Sequence, residues 1–122
     1  MAYHEMRVRV NGSTVGHWLY VARHSGYPLL GLLHDAVEDG YLPAALTRVW
    51  PGLDAITRRS GEQYADYIER VAQHPAARRV KLTDLGHNMT RNGGAPASLM
   101  RRYRKARARL SAYERQETER RP

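Results

Sequence analysis

The sequence predicts an all-α fold, a single compact helical bundle spanning residues 1–122. Three observations carry this. Apolar residues recur at helical spacing, as in Tyr64, Tyr67, Ile68, Val71 and Ala72, which share one face of a helix. Pro and Gly cut the chain into pieces of helix length rather than strand length. The strand-like alternation of Val8 and Val10 with Arg7 and Arg9 is too short to call for a sheet.

The elements follow in order. Asn11-Gly12-Ser13-Thr14 reads as a turn. A first helix is expected over residues 15–23, with Trp18, Val21 and Ala22 on one face, and a second over 28–39, stopped by Gly40. Residues 43–50 can make a short helix closed by Pro51-Gly52, and 53–57 a further apolar turn. The amphipathic helix over 62–73 takes Ser60 as its N-cap and breaks at His74-Pro75. Another helix covers 76–89, and Asn92-Gly93-Gly94-Ala95-Pro96 is a loop. Ser98 then caps a basic C-terminal helix that buries Leu99, Tyr103, Ala106, Leu110 and Tyr113, with a charged tail expected to fray from about residue 115.

Composition narrows the function classes. At 122 residues the chain can bury a real core. Without Cys it has no disulfide, thiolate metal site or Cys nucleophile. No apolar run reaches the roughly 20 residues that span a bilayer, and the first residues show no signal-peptide pattern, so a cytoplasmic protein is expected. The net charge of +8 suits an anionic partner. All the cationic side chains are Arg except Lys81 and Lys105, and many lie beyond residue 100. The simplest reading of that run is a solvated helix face. Its aromatics, Tyr103 and Tyr113, fall on the expected buried stripe rather than forming a base-stacking platform, so nucleic acid is the less supported partner.

The most informative stretch is Leu29-Leu30-Gly31-Leu32-Leu33-His34-Asp35-Ala36-Val37-Glu38-Asp39. On a helix His34, Asp35, Glu38 and Asp39 sit at about 0°, 100°, 40° and 140°, all on one side. An imidazole among three carboxylates, placed just past a buried run, is costly. A divalent metal offsets that cost, because it takes anionic and imidazole ligands. A second stretch, Val80-Lys81-Leu82-Thr83-Asp84-Leu85-Gly86-His87-Asn88-Met89, places Asp84, His87 and Asn88 on one face with Lys81 a turn earlier. By itself it reads equally well as a surface hydrogen-bond cluster. His17, alone, is more often structural than ligating. Together with His34, Asp35 and Asp84 it completes a reasonable ligand set for a divalent cation.

This combination, His17, then His34-Asp35, Glu38-Asp39, and Lys81-Leu82-Thr83-Asp84 with His87-Asn88, resembles the HD-domain phosphohydrolases. Among them it is most similar to the hydrolase domains of Rel/Spo alarmone enzymes and the stand-alone small alarmone hydrolases. The resemblance covers roughly residues 4–89. It implies an HD-type bundle with a metal site between helices. His17, His34, Asp35 and Asp84 match the family's metal ligands, usually for Mn2+. Glu38 and Asp39 match the acidic pair that positions and activates the attacking water. Asn88 matches a nucleotide contact, and Arg9 the family's basic substrate-binding residue. Lys81 either holds the phosphate region or braces the acidic cluster. Departures accompany the match: the turn is one residue shorter than the usual pattern, and the Thr commonly found just after the His-Asn pair is represented, one position early, by Thr90. Only His4-Glu5-Met6-Arg7 precedes the turn where the family has a longer helix, and Thr14-Val15 replaces a Pro-Tyr pair. Separately, Thr57-Arg58-Arg59-Ser60-Gly61-Glu62-Gln63-Tyr64 resembles a segment of small bacterial HD proteins.

The resemblance therefore implies a metal-dependent hydrolase acting on a phosphorylated nucleotide, releasing pyrophosphate from the 3′ position of guanosine tetra- or pentaphosphate. An alternative is the same chemistry, or a phosphodiesterase, on another nucleotide. A further alternative is a non-catalytic helical module that binds through its basic C-terminal helix. The sequence does not indicate an oligomeric state.

Overall fold

The computed structural model describes residues 15–120. Among them the chain is all-helical, with no strand. Six α-helices are present: α1 (Val15–His24), α2 (Pro28–Glu38), α3 (Pro51–Ile56), α4 (Tyr64–Ala72), α5 (Pro75–Thr90) and α6 (Ala97–Arg120). Short 3-10 turns at Ala44–Val49 and Arg91–Gly93 join them. No described helix is long and apolar enough to cross a membrane. Val8, Val10 and the turn at residues 11–14 lie outside the described residues, as does Arg9.

Helix α5 is the axis of the bundle and packs against the other five helices. Its Ala77, Val80, Leu85 and Met89 meet Val21 from α1, Leu30 from α2 and Ile56 from α3. Tyr67, Ile68 and Val71 from α4 and Ala106 and Leu110 from α6 complete the same core. Burial of this continuous apolar interior is the main stabilising term. Helices α1 and α2 approach closely because Gly31 is bare: a Cβ there would lie 3.2 Å from Val21 Cγ1.

Helix α2 ends in a Schellman motif. Gly40, at φ +85°, donates its N–H to the Val37 carbonyl, and Tyr41 donates to that of Ala36. That stop places Glu38 and Asp39 in the last turn. Pro75 occupies the first position of α5, and the His74 ring caps it by accepting from the Ala77 N–H at 3.3 Å.

Three expectations need correction. Pro51-Gly52 opens α3 instead of closing the preceding turn, because a proline's missing N–H costs nothing at a helix start. Ser60 is not the N-cap of α4, which starts at Tyr64 after an extended Gln63, and α6 begins at Ala97, one residue ahead of Ser98. Helix α6 continues to Arg120, held by the buried Arg78 guanidinium, which donates to Glu114 Oε1 at 2.6 Å and to Glu117.

Candidate metal centre

Three helices converge on one buried cluster. Helix α1 contributes His17, α2 contributes His34, Asp35 and Glu38, and α5 contributes Lys81, Asp84, His87 and Asn88. The side chains of His17, His34, Asp35 and Asp84 are almost wholly excluded from solvent. The sequence expected those four as metal ligands; the bundle gathers them around Asp84 in two overlapping groups, His17 and Asp35 in one and His34 with Glu38 in the other.

Asp84 is the hub. Its Oδ1 accepts from His17 Nε2 at 2.7 Å and from Asn88 Nδ2 at 3.3 Å. Its Oδ2 accepts from Lys81 Nζ at 3.2 Å and lies 4.0 Å from His34 Nε2. Asp35 Oδ1 stands 3.9 Å from His17 Nε2. Glu38, one turn beyond His34, places Oε2 3.2 Å from His34 Nε2. Ligand atoms of His17, Asp35 and Asp84 all lie within 4.8 Å of one another, as do those of His34, Glu38 and Asp84. That is close to the span of two metal–ligand bonds of about 2.2 Å.

The donor set fits a divalent cation. His34 Nε2 and Asp35 Oδ2 are buried without a hydrogen-bond partner in suitable geometry. Such orphaned polar atoms are costly unless something else satisfies them. The electrostatics point the same way. Burial disfavours charge on His34, yet Asp84 and Glu38 overcome it and hold the imidazole pKa up at about 10. Burial lifts Asp35 to about 7, with Asp84 adding to the rise and the two histidines opposing it. Asp84 stays well below the usual carboxylate range despite its burial, because Lys81, His17 and His34 surround it. The cluster thus gathers carboxylates and imidazoles in one buried site.

The other expected site residues divide. Lys81 is buried, bonded to Asp84 and poised over the Tyr67 ring at 5.4 Å, so it braces the acidic cluster and also borders the adjoining cavity. Asn88 lies on the same cavity, its Oδ1 accepting from Arg91 Nε at 3.0 Å. Glu38 faces that cavity as well. Asp39 is buried elsewhere: its Oδ2 accepts from Trp18 Nε1 at 2.6 Å, and it is not among the residues lining the cavity.

The cavity has a volume of about 410 Å³. His34, Glu38 and Asp84 form one part of its wall, and Arg58, Tyr64 and Arg102 another. The sequence did not single out these last three as site residues. Arg58 and Tyr64 sit in the Thr57–Tyr64 segment noted for its resemblance to small HD proteins, so a signal existed. Arg102 was lost within the basic run of α6. His87, too, is more than part of a polar face, because it bonds His17 directly.

No known protein family and no curated protein sequence matches the chain.

Proposed function

We propose that this protein is a metal-dependent phosphohydrolase of the HD-domain type, acting on a phosphorylated nucleotide. The observation that carries the reading is the buried His17–His34–Asp35–Asp84 cluster opening, through His34, Glu38 and Asp84, onto a cavity that also carries Lys81, Arg58 and Arg102. An acidic, imidazole-rich floor beside basic walls suits a cation and a phosphate together, and suits neither a neutral ester nor a cationic ligand.

In this reading His17, His34, Asp35 and Asp84 hold the divalent ion, with Mn2+ the first choice. When bound, such an ion lowers the pKa of water at the site and polarises a phosphoryl oxygen. Glu38 is the general base: its carboxylate borders both His34 and the cavity, and the His34 imidazole 3.2 Å away favours its ionised form. It takes a proton from the attacking water as the new phosphorus–oxygen bond forms, the bond from phosphorus to the leaving sugar oxygen breaks, and that oxygen takes up a proton from solvent. Tyr67 is not a proton source. Its hydroxyl donates to the Ile56 carbonyl at 2.6 Å, and burial pushes its pKa up to about 12. Asp39, bonded to Trp18, supports the end of α2 rather than touching substrate.

The first substrates to test are the guanosine and adenosine nucleotides bearing a 3′-pyrophosphate. Purified protein incubated with Mn2+ and a nucleotide panel, with products resolved by ion-exchange chromatography, should release pyrophosphate from one of them. Activity confined to a cyclic dinucleotide or a simple monophosphate would assign the chain a different phosphohydrolase chemistry. No bound metal and no turnover on any member would favour a binding module, for which α6 offers the exposed Arg101, Arg104, Lys105 and Arg107.

A further inference from the structure

Helices α4 and α6 leave a groove between them. Its lining residues lie within 64–69 of α4 and 102–109 of α6, and its volume is about 550 Å³, larger than the cavity beside the metal centre. The two helices are fastened at two points. Arg102 places its guanidinium 4.6 Å from the centre of the Tyr64 ring, and Arg109 grips Glu69, its Nε 2.9 Å from both carboxylate oxygens. These four are the first and last lining residues of each helix. Between them α4 contributes Ala65 and Ile68, and α6 contributes Lys105 and Ala106. The two alanines present only methyl groups, too short to fill the space between the links, and so leave a hollow with an apolar lining. Ile68 and Ala106 are buried at its base, while Ala65 and Lys105 are exposed.

Charge selects the occupant. Between Ala97 and Tyr113, α6 carries six cationic side chains and no acidic one. Arg109 is matched by Glu69, but Lys105 forms no ion pair among the described residues, and neither do Arg101 and Arg102 one turn before it. We propose that the α4–α6 groove docks an acidic amphipathic helix of a partner protein. Its apolar side chains enter the hollow over Ala65, Ile68 and Ala106, and its carboxylates meet Lys105 and Arg101. From Arg102 to Arg109 the groove runs along about 10 Å of helix axis, the length of two turns of a partner helix. The aliphatic stem of Lys105 extends the apolar wall while its ammonium stays at the rim. Nucleic acid fits this groove less well. Tyr64, the aromatic side chain in its lining, already carries the Arg58 and Arg102 guanidinium groups at 5.4 and 4.6 Å and is no open platform for a base. On the α4 side, Glu69 and the exposed Asp66 oppose a phosphate backbone. The inference is independent of the phosphohydrolase reading.

The test is fluorescence anisotropy with labelled synthetic peptides at physiological salt. The probe is a helix about four turns long with leucines at i, i+3, i+4 and i+7 and a mixture of glutamate and alanine elsewhere. The control has the same composition with its leucines dispersed around the helix. Wild-type protein should bind the probe at least about tenfold more tightly than the control. Ala65→Gln puts a polar side chain into the hollow, and Lys105→Glu reverses the unpaired charge. Each should weaken probe binding about tenfold. Both positions are exposed on helices, so circular dichroism and melting should stay close to wild type. Equal binding of probe and control overturns the groove. So does binding that survives both substitutions, or that is lost with Lys105→Glu while Ala65→Gln binds as wild type does, since the last marks a general basic face. A single-stranded oligonucleotide that binds more tightly than the probe, and is displaced only by Lys105→Glu, would assign the face to nucleic acid instead.

Discussion

The rings of His17 and His87 are joined edge to edge. Their Nδ1 atoms are 2.7 Å apart, their planes differ by 4° and their centres are 5.0 Å apart. The nitrogen–nitrogen distance and the two ring radii together span that separation only when the bond lies along the line of centres. The rings therefore share a plane rather than overlapping. Tyr20 covers the face of His87 at 3.9 Å and fixes its orientation. This hydrogen bond makes the two tautomers interdependent, because one Nδ1 must donate and the other accept.

The bond predicts a role for His87 in metal affinity. If His17 binds a cation through Nε2, its proton sits on Nδ1, and His87 must accept there with its own proton on Nε2. His87→Phe keeps a flat ring against Tyr20 and removes the acceptor. Calorimetry should show divalent-metal affinity falling about 10–100-fold with the fold intact. Unchanged affinity in that variant would reduce His87 to a packing residue.

Glu38→Gln separates base from ligand. Glu38 touches His34 and the cavity but stands one turn beyond His34 on α2. As the base, its replacement should leave metal content nearly intact and cut turnover by a factor on the order of 10²–10⁴. The proximity of its carboxylate to His34 and Asp84 gives the measurement an alternative outcome. Loss of metal on elemental analysis would make Glu38 a ligand.

Much of this bundle was legible in the chain because helical periodicity and end signals act locally. Tyr67, Ile68, Val71 and Ala72 are buried where their spacing put them, and Gly40 ends α2 in the way a positive-φ glycine does. Errors arose where the deciding partner is distant. The contacts of the charged end of α6 come from Arg78, 36 and 39 residues away from its two partners, a pairing that no local pattern reveals. Pro51-Gly52 carries the same letters as a stop and as a start, and only burial of Gly52 among Leu30 and His74 distinguishes them. In the site, the residues that share a face of α2 or of α5 could be anticipated, whereas bringing Arg58 and Arg102 to one cavity needs α3, α4 and α6 to be assembled first. The same applies to Asp39, whose partner Trp18 is on α1.

The anchoring of α6 gives a stability prediction. Arg78 is buried, with Nη1 donating to the Ala72 carbonyl at 2.7 Å while its other nitrogens take Glu114 and Glu117. Arg78→Met keeps the aliphatic stem but leaves two carboxylates and a carbonyl without that donor. Removing one side of a buried ion pair costs on the order of 3 kcal/mol. Thermal denaturation should show a loss of several degrees. Hydrogen exchange should quicken in the last turns of α6 before the rest of the bundle, and uniform exchange throughout would mean that Arg78 stabilises the core without holding the helix end.

The loop between α3 and α4 supplies a pH dependence of its own, outside the His/Asp cluster. Arg70 grips Glu62 with two bonds, Nε to Oε2 at 3.0 Å and Nη2 to Oε1 at 2.7 Å, and also caps the end of α3 through the Asp54, Ala55 and Thr57 carbonyls. The Arg70 bond, which outweighs partial burial, holds the Glu62 pKa at about 2 instead of the ordinary 4.5. A carboxylate whose pKa is lower in the folded than in the unfolded state stabilises the fold above its unfolded pKa. That contribution is full above about pH 4.5 and is lost as pH falls through 4.5 toward 2, where the folded group also takes up its proton. Glu62→Gln is neutral throughout and has no such dependence. Melting curves should therefore place the variant below wild type at pH 7, with the gap narrowing below pH 4.5 and closing near pH 2. A gap that stays constant across that range would show that the Glu62–Arg70 pair orders the loop without contributing charge-dependent stability.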